Sequence, residues 1–204
     1  DITHVDHSRD RACTGYPNRH LDIGRILAQD VLQAMEQITP EEAGSVASAS
    51  RMVTIPRRQP TLEEVAEALK TIRAFHEEYD GKPIEKPNAH FYMPLYYAES
   101  VVKLYEHPIP SEEIELQEIR LSDVFFSSMP GEMLTEIGLD LKTRSASKKN
   151  FIVELANGCN GYIAPAKAIP EGGYEVTLSN YVNLSGDAQT IINGTLLQLQ
   201  EQIR

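Results

Sequence analysis

Apolar residues recur along this chain at two spacings, and the two spacings alternate. In "LDIGRILAQDVLQAMEQI" the positions Ile23, Leu27, Val31, Ala34 and Ile38 share one face. That pattern predicts a helix over residues 21–38, weakened in its first turn by Gly24 and ended by Thr39-Pro40. "TLEEVAEALKTIRAFHEEY" is a stronger helix signal: Thr61 and Glu64 form a capping box, and Leu62, Val65, Leu69, Ile72 and Phe75 draw an apolar stripe. His76 sits beside that stripe and reads as structural. "LYYAESVVKLYEH" carries Tyr97 and Tyr105 at helical spacing, a stripe that reads as core rather than as a cofactor box. Met133, Ile137 and Leu141 predict a short helix with Lys142 and Arg144 near its C-terminus, where cations suit the helix dipole. Ile191, Ile192, Leu196 and Leu199 predict a closing helix interrupted at Gly194.

Strand-like segments lie between these helices. "RMVTIPR" predicts a strand ending before Pro56. Ile114 and Leu116 alternate, as do Ile119 and Leu121, but the phase slips between the pairs, which predicts a bulge. "LSD" reads as a hairpin turn leading to a strand over residues 124–129, which stops at Pro130-Gly131; "NFIVELAN" reads as another strand. Residues 80–94 form a Pro-rich connection and "IPEGGYEVTLSNY" a Gly-containing loop. Strands interleaved with helices, without repeats or a linker, predict a mixed α/β layered fold.

Composition narrows the function. The 204 residues carry a formal net charge of -11, so no Lys/Arg excess exists to displace counterions from a nucleic acid, and Arg57-Arg58 is too small a cluster to change this. Hydrophobic residues at 41% and charged residues at 24% are ordinary for a soluble globular protein. Cys13 and Cys159 have no C-x-x-C partner, which excludes a zinc knuckle; they read as two free thiols, with one long-range disulfide as the alternative. No apolar run has the length of a bilayer span. The chain starts at Asp1 without Met, so the absence of a leader says nothing about localisation.

Candidate chemistry gathers at two predicted strand ends. Glu132, after "FFSSMPG", is either the cap of the following helix or a metal ligand or catalytic acid. Tyr162 follows the glycine-bearing "NGCNG" and Tyr174 follows "EGG"; each is either a packing group or a fixed site residue. His4 and His7 in "DITHVDHSRD" have a metal-like spacing, but in an extended segment they point to opposite faces. The chain has no H-E-x-x-H, G-x-S-x-G, Walker or G-x-G-x-x-G motif.

Three stretches in order, "SMPGEMLTEIG", "ELANGCNGYIAP" and "GGYEVTLS", together with the final helix, resemble the C-terminal half of the catalytic domain of the neutral/alkaline non-lysosomal ceramidase family. The resemblance is closer to bacterial ceramidase-like hydrolases than to ceramidases proper. It implies that residues 1–204 are a C-terminal portion of a larger catalytic domain, without the family's immunoglobulin-like domain. It also implies a Zn2+-dependent hydrolase that cleaves an amide bond in an N-acyl lipid or related small molecule. By match, Glu132 and Tyr162 would be zinc ligands and Tyr174 would polarise the scissile carbonyl; two histidine ligands are expected upstream. The opening "DIT" resembles the tail of the family's active-site serine motif, with Thr3 where the serine stands and His4 where a proline stands. The family's Gly-Arg-Arg is "GLD" here, which alters a helix face near the expected channel. The alternatives are a related hydrolase of a non-lipid amide or ester, and a non-catalytic domain that keeps the fold. A secreted or periplasmic location is implied by the resemblance alone.

Overall fold

The computed structural model describes residues 19–40, 42, 44–80, 82 and 89–204. Thr3, His4, His7 and Cys13 lie outside the described residues. The chain divides into two compact units, Asp1–Gly44 and Ser45–Arg204. In the first, α1 (Arg19–Glu36) forms where the periodicity predicts it, braced by an Asp22–Arg25 ion pair of 2.9 Å.

The second unit is a mixed α/β structure around a four-stranded sheet in the order β1-β2-β3-β5. β1 (Val46–Pro56) pairs antiparallel with β2 (Ser111–Leu121) over their full length. The first strand begins earlier than the apolar pattern predicts, because after Val46 it runs through Ala and Ser alone to residue 50, and these small side chains draw no alternation. Pro56 closes it, a position where a missing N–H costs no ladder bond in the strand interior. β2 turns through Ser122 (φ 55°) into β3 (Val124–Met129), which pairs antiparallel with it. β3 then pairs in parallel with β5 (Asn150–Glu154), joined by the crossover helix α4 (Thr135–Arg144).

The expected bulge in β2 is absent: the register with β1 runs unbroken from Val46↔Leu121 to Pro56↔Ser111. The inward positions are Ile114, Leu116 and Glu118, all buried, so a carboxylate takes the place where an apolar residue would have kept the phase. Glu118 is fully buried. Gln200 donates to its Oε1 at 3.1 Å, and Oε2 has no hydrogen-bond partner among the described residues. Ser127 and Asn150 extend this buried network, the Ser127 hydroxyl donating to Asn150 Oδ1 at 2.9 Å. Burial raises the Glu118 carboxyl to about 7, and the polar Ser127 and Gln200 side chains beside it only partly offset this.

α5 (Ala188–Gln202) lies across the sheet face beside α4, and Gly194 does not break it. Ile192, Leu196 and Leu199 meet Ile55, Leu116, Ile137 and Leu141 in the core. Asn193 ties the two helices, donating to Ile137 O at 3.0 Å and Asp140 Oδ2 at 2.8 Å. A second helical pair packs α2 (Leu62–Tyr79) on α3 (Ala89–Glu106). The predicted capping box is present at Thr61 and Glu64. α3 starts before the Pro-rich connection was expected to end and contains Pro94. The proline removes one intrahelical bond, while Phe91 and Tyr92 before it pack against Phe75 at centroid distances of 5.6 and 6.2 Å. His76 is exposed and pairs with Asp80 at 3.1 Å, a surface role.

Candidate functional site

The parallel strands β3 and β5 end side by side, and both chains turn sharply there. β3 passes through Pro130-Gly131 into the two-residue β4 (Glu132–Met133), and β5 passes through residues 155–161 into β6 (Tyr162–Ile163). β4 and β6 pair in parallel with Glu132 directly opposite Tyr162. Glu132 N–H donates to Gly161 O at 2.9 Å and Leu134 N–H to Ile163 O at 3.1 Å, while Asn160 N–H donates to Pro130 O at 2.7 Å. Carboxyl ends of parallel strands are where open α/β sheets present their functional groups.

Two glycines make the approach possible. A Cβ on Gly131 would stand 2.6 Å from Gly161 O, so no larger residue fits between the two turns. Gly161 has φ +67°, and its Cβ would stand 1.8 Å from Tyr181 O. Three backbone segments, at 131, 161 and 181, are thus in direct contact, and they aim the adjoining side chains at one point.

Glu132 lies in a strand, and the N-cap of α4 is Leu134, which makes no side-chain capping bond. Capping is therefore not what places this carboxylate. Glu132 is half-buried and Tyr162 buried. The Tyr162 phenol is held far above its ordinary range, by burial first and then by the Glu132 carboxylate and the Tyr174 hydroxyl that interact with it. Tyr174 opens a short 3-10 turn, Tyr174–Val176, and its ring meets Tyr162 edge-on at 5.4 Å. The three residues drawn from separate motifs, Glu132, Tyr162 and Tyr174, stand together.

Sequence reasoning missed two members of this cluster. Tyr181 meets Tyr162 edge-on at 6.2 Å, and its hydroxyl lies 3.4 Å from Cys159 Sγ. Its phenol is pushed up to about 12, by the Cys159 contact first, then by burial and by nearby Cys159, Glu132 and Tyr174. The only signal for it in the sequence is that "SNY" follows the "GGYE" turn. Cys159 is an exposed free thiol.

Among the described residues, no three His, Cys, Asp or Glu side chains converge as a metal-holding group. What the cluster offers a cation is one carboxylate and one phenol set opposite each other by the β4–β6 ladder. Both are oxygen donors, and the phenolic proton that Glu132 now meets is the one a divalent ion would displace. The pair fits one side of a zinc site, which needs three or four protein ligands, and it supplies two.

In structure the chain is similar to neutral ceramidase from Pseudomonas aeruginosa, with TM-score 0.46 and 16% identity over 78% of this chain and 29% of that one. It is similar also to a ceramidase complexed with C2, with TM-score 0.45 and 15% identity over 78% of this chain and 31% of the other. The chain therefore spans less than a third of the length of these proteins. No family model matches the sequence, and no curated protein does.

Proposed function

We propose that this chain is part of a zinc-dependent hydrolase of the neutral ceramidase-like kind, cleaving an amide bond in an N-acyl lipid or related substrate. The observation that carries this reading is the meeting of Glu132, Tyr162 and Tyr174, each singled out by a different motif, at the carboxyl ends of β3 and β5. Glu132 and Tyr162 would hold the ion, with upstream histidines completing the set. When bound, zinc supplies a water of lowered pKa and offsets charge at the carbonyl.

The chain's own residues have definable tasks. Tyr174 is 57% exposed, so its hydroxyl is accessible to a substrate and can donate a hydrogen bond to a carbonyl oxygen as negative charge develops there. Gly131 and Gly161 keep Glu132 and Tyr162 in register. Thr3 is assigned the family serine's place by sequence alone. A cleft of about 500 Å³ between α2, α3 and residues 169–178 has an apolar part formed by Ala68, Pro94, Ala98, Val101, Val176 and Leu178, which would take an acyl chain, and is also lined by the charged Arg58, Glu64 and Glu67. It shares Tyr97 with the cavity beside Tyr174.

The test is Glu132→Gln in the protein carrying the complete catalytic domain, with zinc measured by elemental analysis after dialysis. Loss of stoichiometric zinc with retained fold is expected. Retained zinc would remove Glu132 from the ligand set and this reading with it.

A further inference from the structure

Beside the cluster lies a cavity of about 230 Å³ lined by Tyr96, Tyr97, Tyr174 and Tyr181, with Met93 and Ser179. Four tyrosines from three separate segments around one small space are more than core packing calls for. Tyr96, Tyr174 and Tyr181 are 36%, 57% and 41% exposed, so part of each stays accessible beside its ring contacts. Tyr96 and Tyr97 stand 5.5 Å apart between ring centroids, tilted by 57°.

Among the described residues no charged side chain of either sign lines this space. Arg58, which lines both neighbouring cavities, is committed to Glu64 and to Val176 O. Two carboxylates act on the tyrosines: Glu132 on Tyr181, and Glu175 on Tyr97, whose phenol is raised by burial first and then by Tyr174, Tyr96 and Glu175. Aromatic faces are electron-rich and attract a cation set over them, more strongly where water is thinned out. The volume is below the roughly 300–1,000 Å³ of sites for drug-sized ligands, so it suits one compact group.

We propose that this tyrosine-lined cavity binds an organic ammonium group. A neutral polyol would find phenol hydrogen bonds there and could stack its C–H groups on the rings, but it would lack the attraction of a full positive charge to the ring faces and to Glu132 and Glu175 beyond them. Amide hydrolysis takes up one water and yields a carboxylate and an amine, and the amine leaves protonated at neutral pH. In the proposed amide cleavage, on which this last step alone rests, the cavity would hold the amine half of the substrate.

Calorimetric titration of the metal-free 204-residue chain with choline, and with its neutral tert-butyl isostere in which carbon replaces nitrogen, tests the assignment. Choline is expected to bind saturably, with the isostere roughly tenfold weaker or worse. Tyr96→Leu is expected to weaken choline about two- to fivefold, the scale of one exposed cation–π contact, while Tyr96→Phe keeps the ring and the affinity. Tyr96 is partly exposed, so both variants should fold, which far-UV circular dichroism checks. No binding of choline, equal binding of the isostere, or equal loss in the Leu and Phe variants would each overturn the proposal. Neither zinc nor turnover enters this experiment, so failure of the hydrolase reading leaves its outcome unchanged.

Discussion

Replacing Glu118 by Gln should abolish a pH dependence of stability that this single side chain imposes on the domain. The carboxyl titrates near 7 when folded against 4.5 for an ordinary glutamate. Between those values the folded state holds a proton that the unfolded state releases. Stability is therefore full below the unfolded value and declines as pH rises through about 7, where the native state must bury a charge. The shift corresponds to about 3 kcal/mol, most of it falling between pH 5 and 8. Neither Ser127 nor Gln200 carries a charge that would pair with the ionised form. Gln has the same shape and can still accept from Gln200, so at pH 5 the two proteins should differ by no more than about one hydrogen bond, ~1 kcal/mol. At pH 8 the variant should be the more stable. Urea denaturation followed by circular dichroism at pH 5, 6, 7 and 8 measures the difference, and comparing the two proteins cancels the other carboxylates. Parallel stability profiles would refute the reasoning, because they would mean that Glu118 is ionised or hydrated in the native state.

The remaining predictions concern the cluster. In the complete catalytic domain, Tyr162→Phe should reduce zinc content and activity together, whereas Tyr174→Phe should keep zinc and lower turnover about 10²-fold, the scale for one lost oxyanion donor; full zinc and rate in Tyr162→Phe would undo the ligand assignment. Zinc titrated calorimetrically into this chain alone should bind weakly, since Glu132 and Tyr162 make only half a site, and tight one-to-one binding would instead bring in His4 and His7. Gly161→Ala should destabilise by more than about 1 kcal/mol, because of its positive φ and the clash with Tyr181 O; thermal unfolding at the wild-type midpoint would contradict the close approach.

Much of the scaffold was legible because its forces are local. Helix periodicity, the Thr61–Glu64 box and the "LSD" turn depend on residues within a few positions of one another, and the structure contains them. The bulge expected in β2 failed for a physical reason. A buried Glu118 breaks the hydrophobic alternation without breaking the backbone ladder, and its burial rests on Gln200, far away in sequence. Pro94 misled in the same way, since contacts with α2 sustain α3 across it. The β4–β6 pairing carries no pattern at all, as two residues cannot show a period. Glu132 and Tyr162 stand out by their places at predicted strand ends and take their roles from the motif resemblance, while Tyr181 and the tyrosines of α3 reach the same place through tertiary packing that no short window of sequence encodes.

The shortness of that pairing has a consequence for motion. β1 and β2 share an eleven-residue ladder, but Glu132 and Tyr162 are held by a ladder two residues long. Elements with so few bonds open at a lower free energy than the whole domain. The amide protons of Glu132 and Leu134 should therefore exchange with solvent well before those of the central sheet, through excursions that leave the core folded. A ligand bridging the two short strands would slow that exchange locally, leaving a footprint of occupancy on two backbone amides in addition to the rise in melting point that any ligand of the folded state gives.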